Sequence, residues 1–128
     1  MAIQYVQTSG ELSTNSADWT PITGLSLTLP EGSGISVLAV LNLPNPYAVG
    51  SEYPGAVLGI AVNGAVMETV ASFTYSEQAP SVPGRMPTTL IVNVPLTLSQ
   101  QTVTGMWRAV RGSTVAIDSP ASLSVIMD

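Results

Sequence analysis

The sequence predicts an all-β domain of the sandwich or jelly-roll kind. Apolar and polar residues alternate with period two along several segments. No segment of useful length carries a 3.6-residue period, and most of the eleven Gly and ten Pro fall between the apolar runs, where turns need them. About eight to ten short strands at this spacing suit a sandwich or jelly roll.

The elements follow in order. Ile3 to Gln7 reads as a strand at a sheet edge or a subunit contact. Leu25-Ser26-Leu27-Thr28-Leu29 alternates strictly, as a half-buried strand does. Ile35 to Leu43 is the longest apolar run, interrupted by Ser36 and Asn42. It falls well short of the roughly 20 residues of a membrane helix and reads as a strand buried on both faces. Ala56 to Val62 is the next strand and stops at Asn63-Gly64. That pair tolerates positive φ at both central turn positions, so Ala65 to Tyr75 is the expected return strand of a hairpin. Thr88 to Val94 alternates through Leu90, Val92 and Val94, and Thr102 to Val110 and Ala121 to Met127 complete the set. Two long connections remain, Pro44 to Gly55 (PNPYAVGSEYPG) and Ser76 to Pro87 (SEQAPSVPGRMP). Loops longer than most connections often carry function. No repeat, linker or second domain is visible, so residues 1–128 are expected to form one domain.

Composition restricts the chemistry. The chain is 45% hydrophobic, enough for one core, but only 9% charged, where about 25% is ordinary. Solubility therefore rests on Ser, Thr, Asn and Gln, and on burying surface in an oligomer. There is no Lys, no His and no Cys. A Ser-His-Asp triad, a thiol or lysine nucleophile and the usual zinc sites are thereby excluded. Carboxylates remain, and a glycosidase needs two of them across one cleft. Glu11, Asp18, Glu31, Glu52, Glu68, Glu77 and Asp128 are scattered and read as solvated surface, neither a catalytic pair nor a calcium loop. No enzymatic activity, cofactor or metal is expected. A net charge of −5 with three Arg disfavours nucleic acid. MAIQYVQTSG has no basic n-region and no apolar h-region, so neither a signal peptide nor membrane insertion is expected. A soluble chain that is exported or acts at a cell surface fits these features.

In so uncharged a chain each Arg needs a reason. Arg85 closes the Pro-rich loop, and Arg111 opens RGSTVAIDS, which holds Asp118 and Ser119. Two readings stay open for the last segment. One is a structural Arg111–Asp118 salt bridge that pins a hairpin. The other is a polar ligand site, because a planar guanidinium can donate to two vicinal sugar hydroxyls while a carboxylate orients it or accepts from a hydroxyl. Tyr47 and Tyr75 read as rings that cover the C–H face of a sugar, with Thr74 as a small donor-acceptor beside them. Tyr53 reads as ordinary half-buried packing, and Trp19 and Trp107 as core or subunit contacts.

The same segments carry a resemblance. LNLPNPYAVG, YPGAVLGIAVNG, SFTYSEQAPSVPGRMPTTLIV and WRAVRGSTVAIDSPASLSVIM resemble the TNF-like, fucose-binding N-terminal domain of a two-domain Burkholderia lectin. The likeness runs from about Leu25 to Met127, and FTY, GRMP and RGS-x-x-x-IDS occur in order at matching spacing. It implies a TNF-like jelly-roll protomer in a homotrimer, with fucose-type sites between neighbouring protomers. The positions carried over are Tyr47, Thr74, Tyr75, Arg85, Arg111, Asp118 and Ser119. The chain departs from the pattern at Val82-Pro83, where the family member has Ser-Thr, and at Val57, where it has a second site Tyr. Both changes remove hydroxyl partners at the expected site rim. The Burkholderia module is followed by a calcium-dependent lectin domain, and the end of this sequence at Asp128 leads to the expectation that this second specificity is absent. The expected function is a metal-free lectin for fucosylated oligosaccharides. The alternative is a trimeric structural or adhesin module that binds a protein.

Overall fold

The computed structural model describes residues 2–127, and every regular element among them is a strand. Asp128, read above as solvated surface, lies outside the described residues. The strands are β1 (Ala2–Gln7), β2 (Leu12–Thr14), β3 (Thr20–Leu29), β4 (Ser36–Leu43), β5 (Tyr47–Val49), β6 (Gly55–Val62), β7 (Ala65–Val66), β8 (Ala71–Thr74), β9 (Thr88–Pro95), β10 (Gln101–Val110), β11 (Thr114–Ile117) and β12 (Ser122–Met127). All pairings are antiparallel. One layer has the order β1-β12-β4-β9, and a second has β3-β10-β6-β7, with β8 also on β6. A short third sheet has the order β2-β11-β5. No helix among the described residues is long and apolar enough to cross a membrane.

The two larger layers face each other because each carries an apolar stripe of period two. β4 turns Val37, Ala39, Leu41 and Leu43 inward, β9 turns in Leu90, Val92 and Val94, and β12 Leu123 and Val125. The opposite layer supplies Ile22, Leu25, Leu27, Leu29, Leu58, Ile60, Val103 and Trp107. At Gly105 the layers approach so closely that a Cβ would lie 3.0 Å from Leu41 Cδ1 and 3.2 Å from Leu25 Cδ1.

The expected all-β sandwich is present, with four revisions to its elements. β3 begins five residues before the alternating Leu25–Leu29 stretch. Gly24, at φ +94°, bulges the strand there, so Ile22 and Leu25 both face inward despite their odd spacing. β4 is buried on one face, not two: Leu38 points outward, and Ile35 just before the strand is 90% exposed. The strand buried on both faces is β6. The return strand is also split. Asn63 and Gly64 have φ of 51° and 87°, as the hairpin requires, but β7 is only two residues long, and β8 resumes the ladder after a break at residues 67–70. The half-buried Trp19 ring lies against β6 at that level, where a Cβ on Gly59 would meet the indole at 3.0 Å. Finally, the third sheet is built from segments read as loop or hairpin. β10 and β11 are not hairpin partners; the turn between them carries the chain from one sheet into another.

Candidate functional site

The two long loops are laced together at one end of the sandwich. Met86 N–H donates to Pro46 O at 2.8 Å, and Tyr53 N–H donates to Gln78 O at 2.8 Å. Tyr75, just after β8, ties both loops to the frame. Its N–H donates to Pro54 O at 3.0 Å, its hydroxyl accepts from Ala48 N–H at 3.3 Å, and the same hydroxyl donates to Gly84 O. The ring meets Phe73 edge-on, 5.8 Å between centroids.

This frame presents a first cluster around Arg85. Its Nη2 donates to Asp118 Oδ2 at 2.8 Å and its Nη1 to Asp118 Oδ1 at 3.2 Å, a two-pronged ion pair. Nη1 also donates to Asn45 O at 3.1 Å, and the guanidinium carbon lies 4.2 Å from the centre of the Tyr47 ring. Asn45 Nδ2 donates to Asp118 Oδ1 at 2.9 Å, and Ser119 Oγ donates to Asn45 Oδ1 at 2.7 Å. Asn45 thus joins three of the expected residues without being one of them. Its place between Pro44 and Pro46 in the site loop was the available signal, since Pro on both sides holds the segment extended.

A second cluster surrounds Arg111. Arg111 and Gly112 have φ of 50° and 71°, and Ser113 N–H closes the turn on Val110 O at 3.0 Å. Arg rarely adopts positive φ, and such a residue costs about 1–3 kcal/mol unless its surroundings hold it. Here Nε donates to Tyr53 O at 2.8 Å and Glu52 O at 3.2 Å, and Nη2 donates to Thr74 Oγ1 at 2.7 Å.

Within one chain, therefore, Tyr47, Arg85, Asp118 and Ser119 come together, while Thr74 and Arg111 form a separate group. Tyr75 lies between them, bonded to the residue before Arg85 and adjacent in sequence to Thr74. The Arg111–Asp118 bridge does not form, because Asp118 pairs with Arg85. Tyr53 is exposed, not half-buried, and sits at φ +54° with its carbonyl on Arg111. Trp107 is buried in the core, whereas Arg108 stacks over Trp19 at 5.3 Å. Of the departures expected at a site rim, Val82 is 86% exposed, but Val57 is buried in β6 and is not at a rim of this protomer.

Both guanidinium groups keep donors for a ligand. Of five N–H groups, Arg85 has its Nε–H and one on Nη2 outside these bonds, and Arg111 has two on Nη1 and one on Nη2. Among the described residues, no three His, Cys, Asp or Glu side chains gather to hold a metal.

The hydrogen bond from Arg85 holds the Asp118 carboxyl below the ordinary 3.8, against the opposing effect of desolvation, and the Arg85 charge and Asn45 bond add to the lowering. A carboxylate with a depressed folded-state pKa contributes stability that is present above its unfolded value and lost as pH falls through the folded one. The pair is partly exposed, so the effect is small. Thermal melts of Asp118→Asn are expected to lie slightly below wild type from neutral pH down to about 4, and the two curves to merge at lower pH. A gap that persists at pH 2 would show that Asp118 acts through something other than its charge.

The chain matches the family of the Bc2l-C N-terminal domain over residues 3–126. No curated protein sequence matches it. Among solved structures, it is similar to the Eiger TNF from S. frugiperda, with a TM-score of 0.51 and 11% identity, over 100% of this chain and 94% of that one. The latent dimeric PorU from Porphyromonas gingivalis gives a TM-score of 0.51 at 12% identity, over 97% of this chain and 13% of that one. The insecticidal δ-endotoxin Cry8Ea1 from Bacillus thuringiensis gives 0.49 at 19% identity, over 92% of this chain. The chain spans only 19% of that toxin's length. At these identities the likeness to Eiger speaks for the fold alone, a TNF-like jelly roll.

Proposed function

Because this chain belongs to the family of the Bc2l-C N-terminal domain, a TNF-like lectin domain, we propose that it binds fucosylated glycans at sites shared between protomers of a homotrimer. The proposed action is recognition without turnover and without a metal. The observation that carries the reading is the division of the expected residues into two donor-bearing halves. Tyr47, Arg85, Asp118 and Ser119 make one half, and Thr74 and Arg111 the other. Each half offers a guanidinium already oriented by the protein, with N–H groups left over for vicinal hydroxyls. A sugar held between two protomers would receive both.

The trimer reading draws support from the outer face of the β1-β12-β4-β9 sheet. The register aligns Ile3, Ile126, Leu38 and Asn93 in one row and Tyr5, Ser124, Val40 and Ile91 in the next. A third row is Gln7, Ser122, Asn42 and Thr89. None of these side chains is charged, and Ile3, Tyr5 and Ile91 are more than half exposed in the protomer. A contiguous uncharged face of this kind marks an interaction surface.

A glycan array on the purified chain, run with and without EDTA, tests the reading. Signals are expected on fucosylated structures, unchanged by chelation. Loss of signal in EDTA would overturn the metal-free mechanism. A blank array from a chain that is trimeric by light scattering would favour the protein-binding alternative.

A further inference from the structure

The outer face of the third sheet carries a groove of about 440 Å³, within the range of small-ligand pockets. Its shape follows from the strand register. Ala116 on β11 lies between Ser13 on β2 and Tyr47 on β5. A methyl group flanked by larger neighbours leaves a depression, whose floor Val49 extends. Glu11 and Thr114 stand at its sides. Among the described residues, Glu11, read from the sequence as solvated surface, is the only ionisable group lining the groove besides Tyr47.

Tyr47 belongs to both places: its ring lines the groove and also stacks under the Arg85 guanidinium at 4.2 Å. The groove therefore meets the Arg85–Asp118 cluster at Tyr47. Its lining has the chemistry of a neutral sugar subsite. Tyr47, Val49 and Ala116 can cover an apolar C–H face, the Glu11 carboxylate can accept from hydroxyls, and the Ser13 and Thr114 hydroxyls can donate or accept. An anionic sugar would meet Glu11, with no cation among the described lining residues to offset it.

We propose that this groove is an extension subsite that holds a second, uncharged sugar ring of the glycan bound at the Arg85 cluster. The proposal rests on the lectin reading and goes beyond it by placing the next residue of the oligosaccharide. The test is calorimetric titration with two probes, free L-fucose and a neutral trisaccharide with fucose at its non-reducing end. The proteins are wild type, Ala116→Leu, which fills the floor, and Glu11→Gln, which replaces the charged acceptor at an exposed position. Both variants are expected to bind L-fucose as wild type does. On the trisaccharide, Glu11→Gln should lose about fivefold to tenfold, as weakening one charged hydrogen bond to a neutral one implies, and Ala116→Leu at least as much. Trisaccharide affinity unchanged in both variants overturns the subsite while leaving the lectin reading intact. Wild type that binds neither probe overturns that reading, and the subsite with it. If Ala116→Leu also loses L-fucose through misfolding, Glu11→Gln alone decides.

Discussion

Trimers of Arg85→Ala and trimers of Arg111→Ala are each expected to bind L-fucose roughly 10- to 150-fold more weakly than wild type, the range for losing a charged hydrogen-bond donor worth about 1.5–3 kcal/mol. Mixing the two variants by co-refolding should return part of the binding. The reason is geometric. The structure puts Arg85 with Asp118 and Arg111 with Thr74, in groups that share no residue. If a site draws one group from each of two neighbours, it is intact wherever an Arg111→Ala chain offers its Arg85 toward an Arg85→Ala chain that offers its Arg111. In a cyclic trimer with two chains of one kind and one of the other, that order occurs at one boundary of the three. Random assembly therefore restores about a quarter of all sites at wild-type affinity, which titration resolves as a minor tight class. If both Arg serve one site within a single chain, no arrangement restores anything. Mixed trimers seen by mass spectrometry without a tight class would refute the shared site.

The layers were legible in the sequence because a half-buried sheet writes itself as alternation. Leu25–Leu29, Thr88–Val94 and the Asn63-Gly64 turn all fall where the pattern put them. The third sheet was not legible. β2, β5 and β11 are three or four residues long, too short for a period to register. The Arg111-Gly112 turn was hidden for a different reason. Arg carries no preference for positive φ, so nothing local marks it, and only the carbonyls of Glu52 and Tyr53 and the Thr74 hydroxyl hold it there. The site was legible in its residue types but not in its pairing. Composition pointed to Arg85, Arg111 and Asp118 as residues needing a reason, and spacing along the chain made Arg111 the natural partner of Asp118. The fold chose Arg85 instead, because Asn45, itself bonded to Asp118, Ser119 and Arg85, fixes the carboxylate on that side. The outward apolar residues of β4, Leu38 and Val40, were visible within the longest hydrophobic run. They were assigned to burial within the protomer, when the protomer leaves them on its surface.

That surface gives the second large effect. Leu38→Lys combined with Ile91→Lys is expected to convert the proposed trimer to monomers. Both side chains are on the outer face of the β1-β12-β4-β9 sheet, 43% and 59% exposed in the protomer, so the substitutions leave the core untouched. In a trimer they would place six ammonium groups against an uncharged surface. An unpaired charge taken out of water costs several kcal/mol, and among the described residues of that face there is no carboxylate to receive one. Circular dichroism should keep its β signal while light scattering reports one chain. Binding should then fall in two ways. Multivalent contact with a glycan surface is lost, an effect on the order of 10²- to 10⁴-fold. Free L-fucose, which gains nothing from multivalency, should weaken as well, because each monomer would keep only half of the proposed shared site. The monosaccharide result separates the two causes. A folded monomer that binds L-fucose as tightly as wild type would place the whole site within one chain, and the interface would then serve avidity alone. A variant that remains trimeric would mean that the chains meet through another face.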